Sequence, residues 1–163
     1  MNYFYMYNTK IGKLVFVSED EYIVEILLEK DITEENIKRI NTTHVEKENK
    51  IIKKAIKQIN EYLQGGRKEF DIPIKPKGTE FRKKVWNKLI DIPYGKTTSY
   101  KDIAVKLDNH NASRAVGNAN NKNPIPIIIP CHRVIGTNGK LVGYSGGIEV
   151  KKYLLDIEKK NDR

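Results

Sequence analysis

The composition of the chain shifts near residue 75, and the hydrophobic patterns on the two sides of this shift limit the possible folds more than any other feature. Before it, "YFYMYNTKIGKLVFVS" and "YIVEILLEK" are β-rich runs, and Asn8-Thr9-Lys10 with Gly12 gives the first run a hairpin turn. These runs predict a small antiparallel sheet. After it, apolar residues recur at helical spacing. We therefore expect a strand-rich first part and a helical second part.

A helix and a linker end the first part. "KIIKKAIKQINEYLQGG" carries an apolar stripe and stops at Gly65-Gly66, where glycine tolerates the left-handed conformation that follows a helix. "DIPIKPKGTE" then has the prolines and the glycine of a linker. We divide the chain into an amino-terminal α/β support domain, residues 1–74, and a second domain, residues 75–163. The stripe consists of Ile51, Ile52, Ala55, Ile56, Ile59 and Leu63.

The second part contains a helix-turn-helix candidate. "TEFRKKVWNKLIDIP" and "TSYKDIAVKLDN" predict two helices, the latter capped by Thr98 or Ser99 with Asp102, and "ASRAVGNANNKN" predicts a third after a polar turn. Arg114 is the one long side chain between residues 112 and 120. Such a smooth helix suits close approach to a nucleic-acid backbone, although close helix packing also uses small residues. We expect Ala112, Ala115 and Ala119 on one face, and Ser113, Gly117 and Asn120 on another.

A final helix follows the glycine-rich segment "GTNGKLVGYSGG". In "IEVKKYLLDIEKK", the apolar stripe is Val150, Leu154 and Ile157, and Glu158 falls at its edge. A carboxylate that faces a core needs a partner. The alternative is a frayed, exposed helix end, which the two lysines after Glu158 favour.

The net charge of +9 is distributed unevenly. Residues 1–74 carry 12 Lys and Arg against 13 Asp and Glu, whereas residues 75–163 carry 18 against 8. The basic excess of the second part suggests a polyanionic partner. A lysine-rich solvated surface explains the charge equally well.

Cys131 is the single cysteine, so the chain forms no internal disulfide and no cysteine-based zinc cluster. No metal-ligand spacing, signal peptide or membrane-spanning run is evident, and we expect a soluble intracellular protein. His132 adjoins Cys131 and could take its proton, with Glu158 orienting the imidazolium. A lone intracellular cysteine is nevertheless more often an inert small hydrophobe.

The residues around Cys131 favour a reactive cysteine over an inert one. "NPIPIIIPCHRV" followed by "GYSGG" closely resembles the active-site signature of the O6-alkylguanine-DNA alkyltransferases, the methylated-DNA–protein-cysteine methyltransferases. "FRKKVWNKLIDIPYGKTTSYKDIA" and "ASRAVGNANNKNP" resemble the helix-turn-helix of the same family, in the same order. The resemblance covers residues 81–158, whereas the first half resembles the family's amino-terminal domain only in size and element order. It implies an α+β fold, with a small antiparallel sheet plus helix (ribonuclease H-like) before a winged helix-turn-helix-like domain.

The resemblance also implies a role for particular residues. Cys131 is the nucleophile, His132 its general base through a water molecule, and Glu158 the third member of the relay. Tyr100 donates a hydrogen bond to guanine N3, and Arg114 enters the duplex in place of the extruded nucleotide. Asn123 ties the recognition helix to the active-site turn. Val134, the Cys131 carbonyl, Tyr144 and Ser145 hold the base and its alkyl group, and Ala112, Ser113, Ala115 and Gly117 face the minor groove.

The reaction implied is direct reversal of DNA damage. O6-alkylguanine is flipped out of double-stranded DNA, and its alkyl group passes irreversibly to Cys131, so each molecule reacts once. The thioether product is stable to water, and no metal or cofactor is required. We expect a monomer that binds the minor groove without sequence preference and has no membrane partner, in the cytoplasm and at the nucleoid of a prokaryote.

Two other classes fit parts of the sequence. A DNA-binding module without chemistry, such as an alkyltransferase-like lesion sensor, would lack the reactive cysteine. A Cys-His hydrolase or thiol redox enzyme would have no use for the basic helix-turn-helix, and a redox enzyme would usually need a second cysteine. The resemblance favours the alkyltransferase over both. Gly117-Asn118 departs from the pattern of many relatives, which keep another small residue there.

Overall fold

A computed structural model gives the fold and describes residues 1–139, 141, 144 and 146–162. The chain divides into two compact units, Met1–Pro76 and Lys77–Arg163. Within the described residues, no helix has both the length and the apolar character needed to cross a membrane.

Four strands form the sheet of the first unit: β1 (Asn2–Thr9), β2 (Gly12–Glu19), β3 (Tyr22–Leu27) and β4 (Val45–Glu46). Their order in the sheet is β3-β2-β1-β4. The first three strands pair antiparallel, as the sequence predicts, but the short β4 pairs parallel to β1. The antiparallel pairing predicted for three strands is therefore confirmed, and β4 is a parallel edge strand that the sequence analysis missed.

Helices cover the sheet of the first unit. The expected helix is α2 (Lys50–Leu63), and it packs on β1, β2 and β3. The sequence analysis missed a second helix, α1 (Glu34–Thr43), which follows a 3₁₀ turn at Glu29–Asp31. Ile40 of α1 joins a buried apolar cluster on the sheet with Phe4, Val15, Val17, Val24 and Leu27.

The second unit is mainly helical. Its elements are α3 (Glu80–Ile90), β5 (Thr98–Ser99), α4 (Tyr100–Lys106), α5 (Ser113–Asn121), a 3₁₀ turn at Cys131–Arg133, β6 (Val134–Ile135) and α6 (Ile148–Asn161). β5 and β6 form a small parallel pair, so the active-site turn runs directly into a strand that is held beside the start of α4. The α+β fold predicted from the sequence is confirmed.

Side-chain caps explain where several helices begin. Thr79 accepts a hydrogen bond from the backbone N–H of Arg82 at the start of α3, and Ser99 accepts one from Asp102 at the start of α4. Each bond satisfies a backbone donor that the first helical turn leaves without an intrahelical partner. The predicted cap at Ser99 is thus confirmed.

Trp86 joins α3 to α5. Its indole Nε1 donates a 2.9 Å hydrogen bond to the carbonyl oxygen of Ala119, and the ring is buried. A Cβ atom at Gly78 would lie 2.4 Å from the indole, so only glycine leaves room for it. This contact anchors the amino-terminal side of the active-site segment, because α5 leads directly into it.

Two details of the helical faces differ from the prediction. α5 begins at Ser113 rather than Ala112, and Ala115 is exposed while Ala112 and Ala119 are buried, so the three alanines do not form one uniform surface. α5 packs against α3 and α4, and a small side chain is compatible with either a packed or an exposed position, so residue type alone does not predict the difference.

Candidate active site

The segment before Cys131 is a tight, buried turn. Backbone bonds run from the N–H of Ile129 to the carbonyl of Ile125 and from the N–H of Cys131 to the carbonyl of Ile129. Ile127 lies within this turn at φ 75°, a conformation that is rare for a β-branched residue and costs on the order of 1–3 kcal/mol. The surrounding packing therefore holds a strained backbone next to the cysteine.

Asn123 holds this turn through its side-chain amide. Its Oδ1 accepts a 3.0 Å hydrogen bond from the N–H of Ile125, and its Nδ2 donates a 2.8 Å bond to the carbonyl of Ile129. Because Asn123 lies two residues after the end of α5, these bonds couple the end of that helix to the turn.

The Cys131 thiol is only 3% exposed, at the start of the 3₁₀ turn. Burial raises the pKa of Cys131 to about 11, although hydrogen bonding from Asn123 and the positive charge of Lys151 both act in the opposite direction. The resting sulfur is therefore a protonated thiol at neutral pH, and a nearby base is needed to activate it.

His132 follows Cys131 and is fully buried. Its Nε2 lies 2.6 Å from Oε2 of Glu158 on α6, so the neutral ring donates its Nε2 proton there and keeps Nδ1 as the basic nitrogen. The sequence left open whether Glu158 points to the core or frays. The structure decides for the core, since the side chain is 1% exposed.

Glu158 is also paired with Arg133. Nε and Nη2 of this guanidinium donate to the two carboxylate oxygens at 2.8 and 3.1 Å, and Nη1 donates to the carbonyl of Ile92. The N–H of Gly95 donates a further 3.0 Å bond to Oε1 of Glu158. These bonds compensate the desolvation of a buried carboxylate.

This arrangement sets the ionisation of both partners. Burial raises the pKa of Glu158, but the hydrogen bond and charge of His132 and the bonds and charge of Arg133 outweigh it and lower that pKa to about 2. Burial lowers the pKa of His132, and the charges of Arg133 and Lys151 add to this effect, while Glu158 opposes it. The pair at neutral pH is therefore a carboxylate beside a neutral imidazole, which can accept a proton.

Tyr100, at the start of α4, lies near enough to Cys131 for the cysteine to influence its ionisation. Burial, and then the proximity of Cys131, raise the pKa of the Tyr100 phenol, so its hydroxyl stays protonated and can donate a hydrogen bond. A Cβ atom at Gly117 of α5 would lie 3.8 Å from the Tyr100 ring, in ordinary van der Waals contact.

The predicted base-holding residues lie on the carboxyl-terminal side of the turn. Val134 is fully buried, and its carbonyl oxygen accepts a 2.5 Å hydrogen bond from Lys151 Nζ. Tyr144 is buried, and its carbonyl accepts a bond from the N–H of Gly147. Ser145 lies outside the described residues.

The predicted DNA-contacting residues lie apart from this buried cluster. Arg114 and Ala115 are exposed on α5, and Ser113 and Gly117 are half-buried. Ala112 is buried just before the helix, so its side chain does not form part of the exposed surface.

Sequence reasoning missed Arg133 and Lys151. Arg133 is the fourth residue of "PCHRV". An arginine this close to the cysteine is a candidate ion-pair partner for a buried carboxylate at Glu158. Lys151 precedes Glu158 by seven residues, two helical turns, which places both on one face of α6. Within the part of the chain that the structure describes, no group of three or more His, Cys, Asp and Glu side chains could hold a metal ion.

Comparison with known proteins gives consistent matches along the chain. Residues 2–76 match the family model for the 6-O-methylguanine DNA methyltransferase ribonuclease-like domain, and residues 80–160 match that for the DNA binding domain of the same family. A Methanosarcina acetivorans methylated-DNA–protein-cysteine methyltransferase is 43% identical over 96% of this chain and 97% of its own length. The constitutive Bacillus subtilis enzyme of the same name is 43% identical over 98% of this chain and 96% of its own length.

A solved structure agrees with these relatives. The Mycobacterium tuberculosis OGT in complex with DNA superposes with a TM-score of 0.87 at 37% identity, covering 98% of this chain and 94% of that one. Identity of this extent along nearly the whole chain, together with family models that match both of its parts, leaves one conclusion. The chain belongs to the 6-O-methylguanine DNA methyltransferase family.

Proposed function

We propose that this protein repairs O6-alkylguanine in double-stranded DNA by moving the alkyl group to its own Cys131. The observation that carries the proposal is the buried Cys131 thiol adjoining the His132–Glu158 pair, in a member of a family whose relatives are named methylated-DNA–protein-cysteine methyltransferases. The similar Mycobacterium tuberculosis protein has been solved with DNA bound, which supports DNA as the partner.

The chemistry begins with the loss of the thiol proton. His132 accepts this proton through a water molecule, and Glu158 stabilises the imidazolium that forms. The thiolate then attacks the alkyl carbon, so that a C–S bond forms as the C–O6 bond breaks. The electron pair of the broken bond passes to the guanine ring, which the Tyr100 hydroxyl stabilises by a hydrogen bond to N3.

The product explains why each molecule acts once. A thioether at Cys131 has no labile bond comparable to the thioester of a cysteine hydrolase, and the chain has no second cysteine to accept the group. The reaction is stoichiometric and requires no cofactor.

The target carbon must first leave the base stack, at a cost of a few kcal/mol. We assign to α5 the contact with the minor groove, and to Arg114 the filling of the space that the extruded nucleotide leaves. The exposure of Arg114 and the basic excess of the second unit support this assignment. Val134, Tyr144 and Ser145 then hold the flipped base.

The first domain, residues 1–74, has a supporting role, and residues 75–163 carry the DNA-binding and alkyl-transfer activities. The two compact units and the two family models divide the chain close to this boundary. Because genomic DNA is the substrate, we place the protein, as a monomer, in the cytoplasm at the nucleoid of a prokaryotic cell.

A single experiment tests the proposal. The protein is incubated with a duplex oligonucleotide containing O6-methylguanine, and its peptides are mapped by mass spectrometry, with the undamaged duplex as control. A methyl group on the Cys131 peptide, at no more than one per molecule, supports the proposal. Binding without methyl transfer would instead identify a lesion sensor, and repair by a Cys131→Ala variant would exclude Cys131 as the acceptor.

A further inference from the structure

The buried face of α6 carries two charged residues. Lys151, Leu154 and Glu158 are buried, whereas the stripe expected from the sequence was Val150, Leu154 and Ile157. Lys151 is 0% exposed, although a lysine is almost never fully buried without a partner. Glu158 has Arg133 and His132 as partners, so the unexplained group on this face is the ammonium of Lys151.

The Lys151 ammonium lies against the active-site turn. Its Nζ donates a 2.5 Å hydrogen bond to the carbonyl oxygen of Val134, three residues after Cys131. The influence between the lysine and the cysteine is mutual: the charge of Lys151 lowers the pKa of Cys131, and Cys131 raises the pKa of Lys151, which burial otherwise lowers. The buried ammonium therefore lies close enough to the nucleophile to influence its ionisation.

The other charged groups around Cys131 are paired with one another. The negative charge of Glu158 is balanced by the bidentate pair with Arg133, and His132 is neutral at rest. Tyr100, on α4, is also uncharged. When the thiol proton passes to His132, the imidazolium that forms is hydrogen-bonded to Glu158, and Lys151 supplies a second positive charge that favours the buried thiolate.

We propose that Lys151 is a positioning residue for alkyl transfer. Its ammonium charge stabilises the Cys131 thiolate, and its hydrogen bond orients the Val134 carbonyl, to which we assign a contact with the flipped base. The inference rests on the proposed function of Cys131. Lys151 neither gives nor takes a proton in this scheme, because the thiol proton goes to His132. A carbonyl oxygen has two lone pairs, so Val134 can keep the lysine while it accepts a hydrogen bond from the base.

The test separates the charge of Lys151 from its hydrogen bond. Lys151→Gln keeps a donor but removes the charge, Lys151→Arg keeps the charge, and Lys152→Gln changes the exposed neighbour on the same helix. The rate of Cys131 alkylation by iodoacetamide is measured from pH 6 to 11 and mapped by mass spectrometry, with circular dichroism to verify folding. This reaction needs no DNA, so it is independent of the repair assay.

We expect Lys151→Gln to move the alkylation profile upward by about one pH unit, so that the rate at pH 8 falls about tenfold, with a similar loss in methyl transfer from O6-methylguanine. Lys151→Arg should stay within about threefold of the wild type, and Lys152→Gln should match it. A folded Lys151→Gln protein with an unchanged profile would overturn the proposal, because a merely structural lysine would leave the thiol titration unaltered.

If the Lys151→Gln variant does not fold, a second measurement tests the proposal without it. The Nζ of Lys151 is titrated by nitrogen NMR in the wild type and in Cys131→Ala, and we expect a lower pKa when the thiolate partner is absent. Equal titrations would overturn the proposal. A wild-type protein that fails to take the methyl group, yet shows the lysine-dependent thiol profile, would overturn the proposed function and support the electrostatic role of Lys151.

Discussion

Nε2 of His132 lies 2.6 Å from Oε2 of Glu158, and both side chains are buried. This bond fixes the ring and its tautomer, since the carboxylate accepts the Nε2 proton and the basic Nδ1 is left for Cys131. The same carboxylate pairs with Arg133, so the stability of the fold and the basicity of the histidine depend on one group.

Replacement of Glu158 by Gln should lower both stability and activity. The variant leaves the Arg133 guanidinium buried beside a neutral amide, and breaking a buried pair in this way costs about 3–5 kcal/mol. The free energy of unfolding in urea measures the first effect, and the rate of methyl transfer measures the second. Glu149→Gln, at an exposed position of the same helix, is the control and should change the unfolding free energy by less than about 0.5 kcal/mol. Equal values for the two variants would show that the Glu158 pair contributes nothing.

Arg133→Gln should shift the pH dependence of methyl transfer. The positive charge of Arg133 disfavours the imidazolium of His132, so its removal raises the pKa of His132. His132 then becomes protonated at a higher pH, and the acid limb of the rate profile moves upward. Single-turnover rates between pH 5 and 8 measure this shift, on a variant whose folding is verified by circular dichroism. A limb that stays in place or moves to lower pH would contradict the assigned ionisation.

Gly95→Ala should destabilise the loop that contacts Glu158. Gly95 has φ +79°, and an added Cβ would lie 2.5 Å from the carboxyl group of Asp162. Gly139 has the same φ of +79° with nothing within 4 Å of its Cβ position, so Gly139→Ala isolates the cost of the backbone conformation, about 1 kcal/mol. We expect Gly95→Ala to lose more than Gly139→Ala in thermal unfolding, because it also displaces the N–H that donates to Glu158. Similar losses of thermal stability in the two variants would show that the contact with Asp162 contributes nothing measurable.

The stability of the fold should decrease in acid in two stages. His132 is buried with a lowered pKa, so the unfolded chain gains protons first as pH falls below about 6.5. Glu158 has its pKa lowered from 4.5 to about 2, and the stability it contributes is present above 4.5 and is lost as pH falls toward 2. Urea unfolding at a series of pH values measures how the free energy of unfolding depends on pH. Between pH 4.5 and 2 this dependence should be weaker in Glu158→Gln than in the wild type. An identical dependence would show that Glu158 does not contribute to the loss of stability in acid.

Arg114→Ala should impair repair of duplex DNA more than reaction with the free base O6-benzylguanine, because only the duplex needs its stack filled after flipping. Lys122→Ala, an exposed cation at the end of the same helix, is the matched control for lost charge. We expect about a tenfold or larger loss on duplex for Arg114→Ala, with less than threefold on the free base. Equal losses on both substrates would count against insertion of Arg114 into the duplex.

Local signals account for the elements that the sequence predicted. The hairpin at Thr9–Gly12, the cap at Ser99 and the glycines after α2 each act over a few residues, so they can be identified from short stretches. α1 was missed because its sequence, "EENIKRINTT", is mostly polar and has little apolar periodicity apart from Ile37 and Ile40. β4 was missed because two residues give no alternating pattern, and only pairing with β1 makes them a strand.

The sequence by itself determined the order of the motifs, the family and the identity of the nucleophile candidate, because these depend on which residues follow one another. Only the tertiary structure decided that Lys151 and Glu158, not Val150 and Ile157, form the buried face of α6. The physical reason is that a charged side chain becomes tolerable in a core only when its partner is brought to it. For Glu158 that partner is Arg133, 25 residues away along the chain, and for Lys151 it is the carbonyl of Val134, 17 residues away.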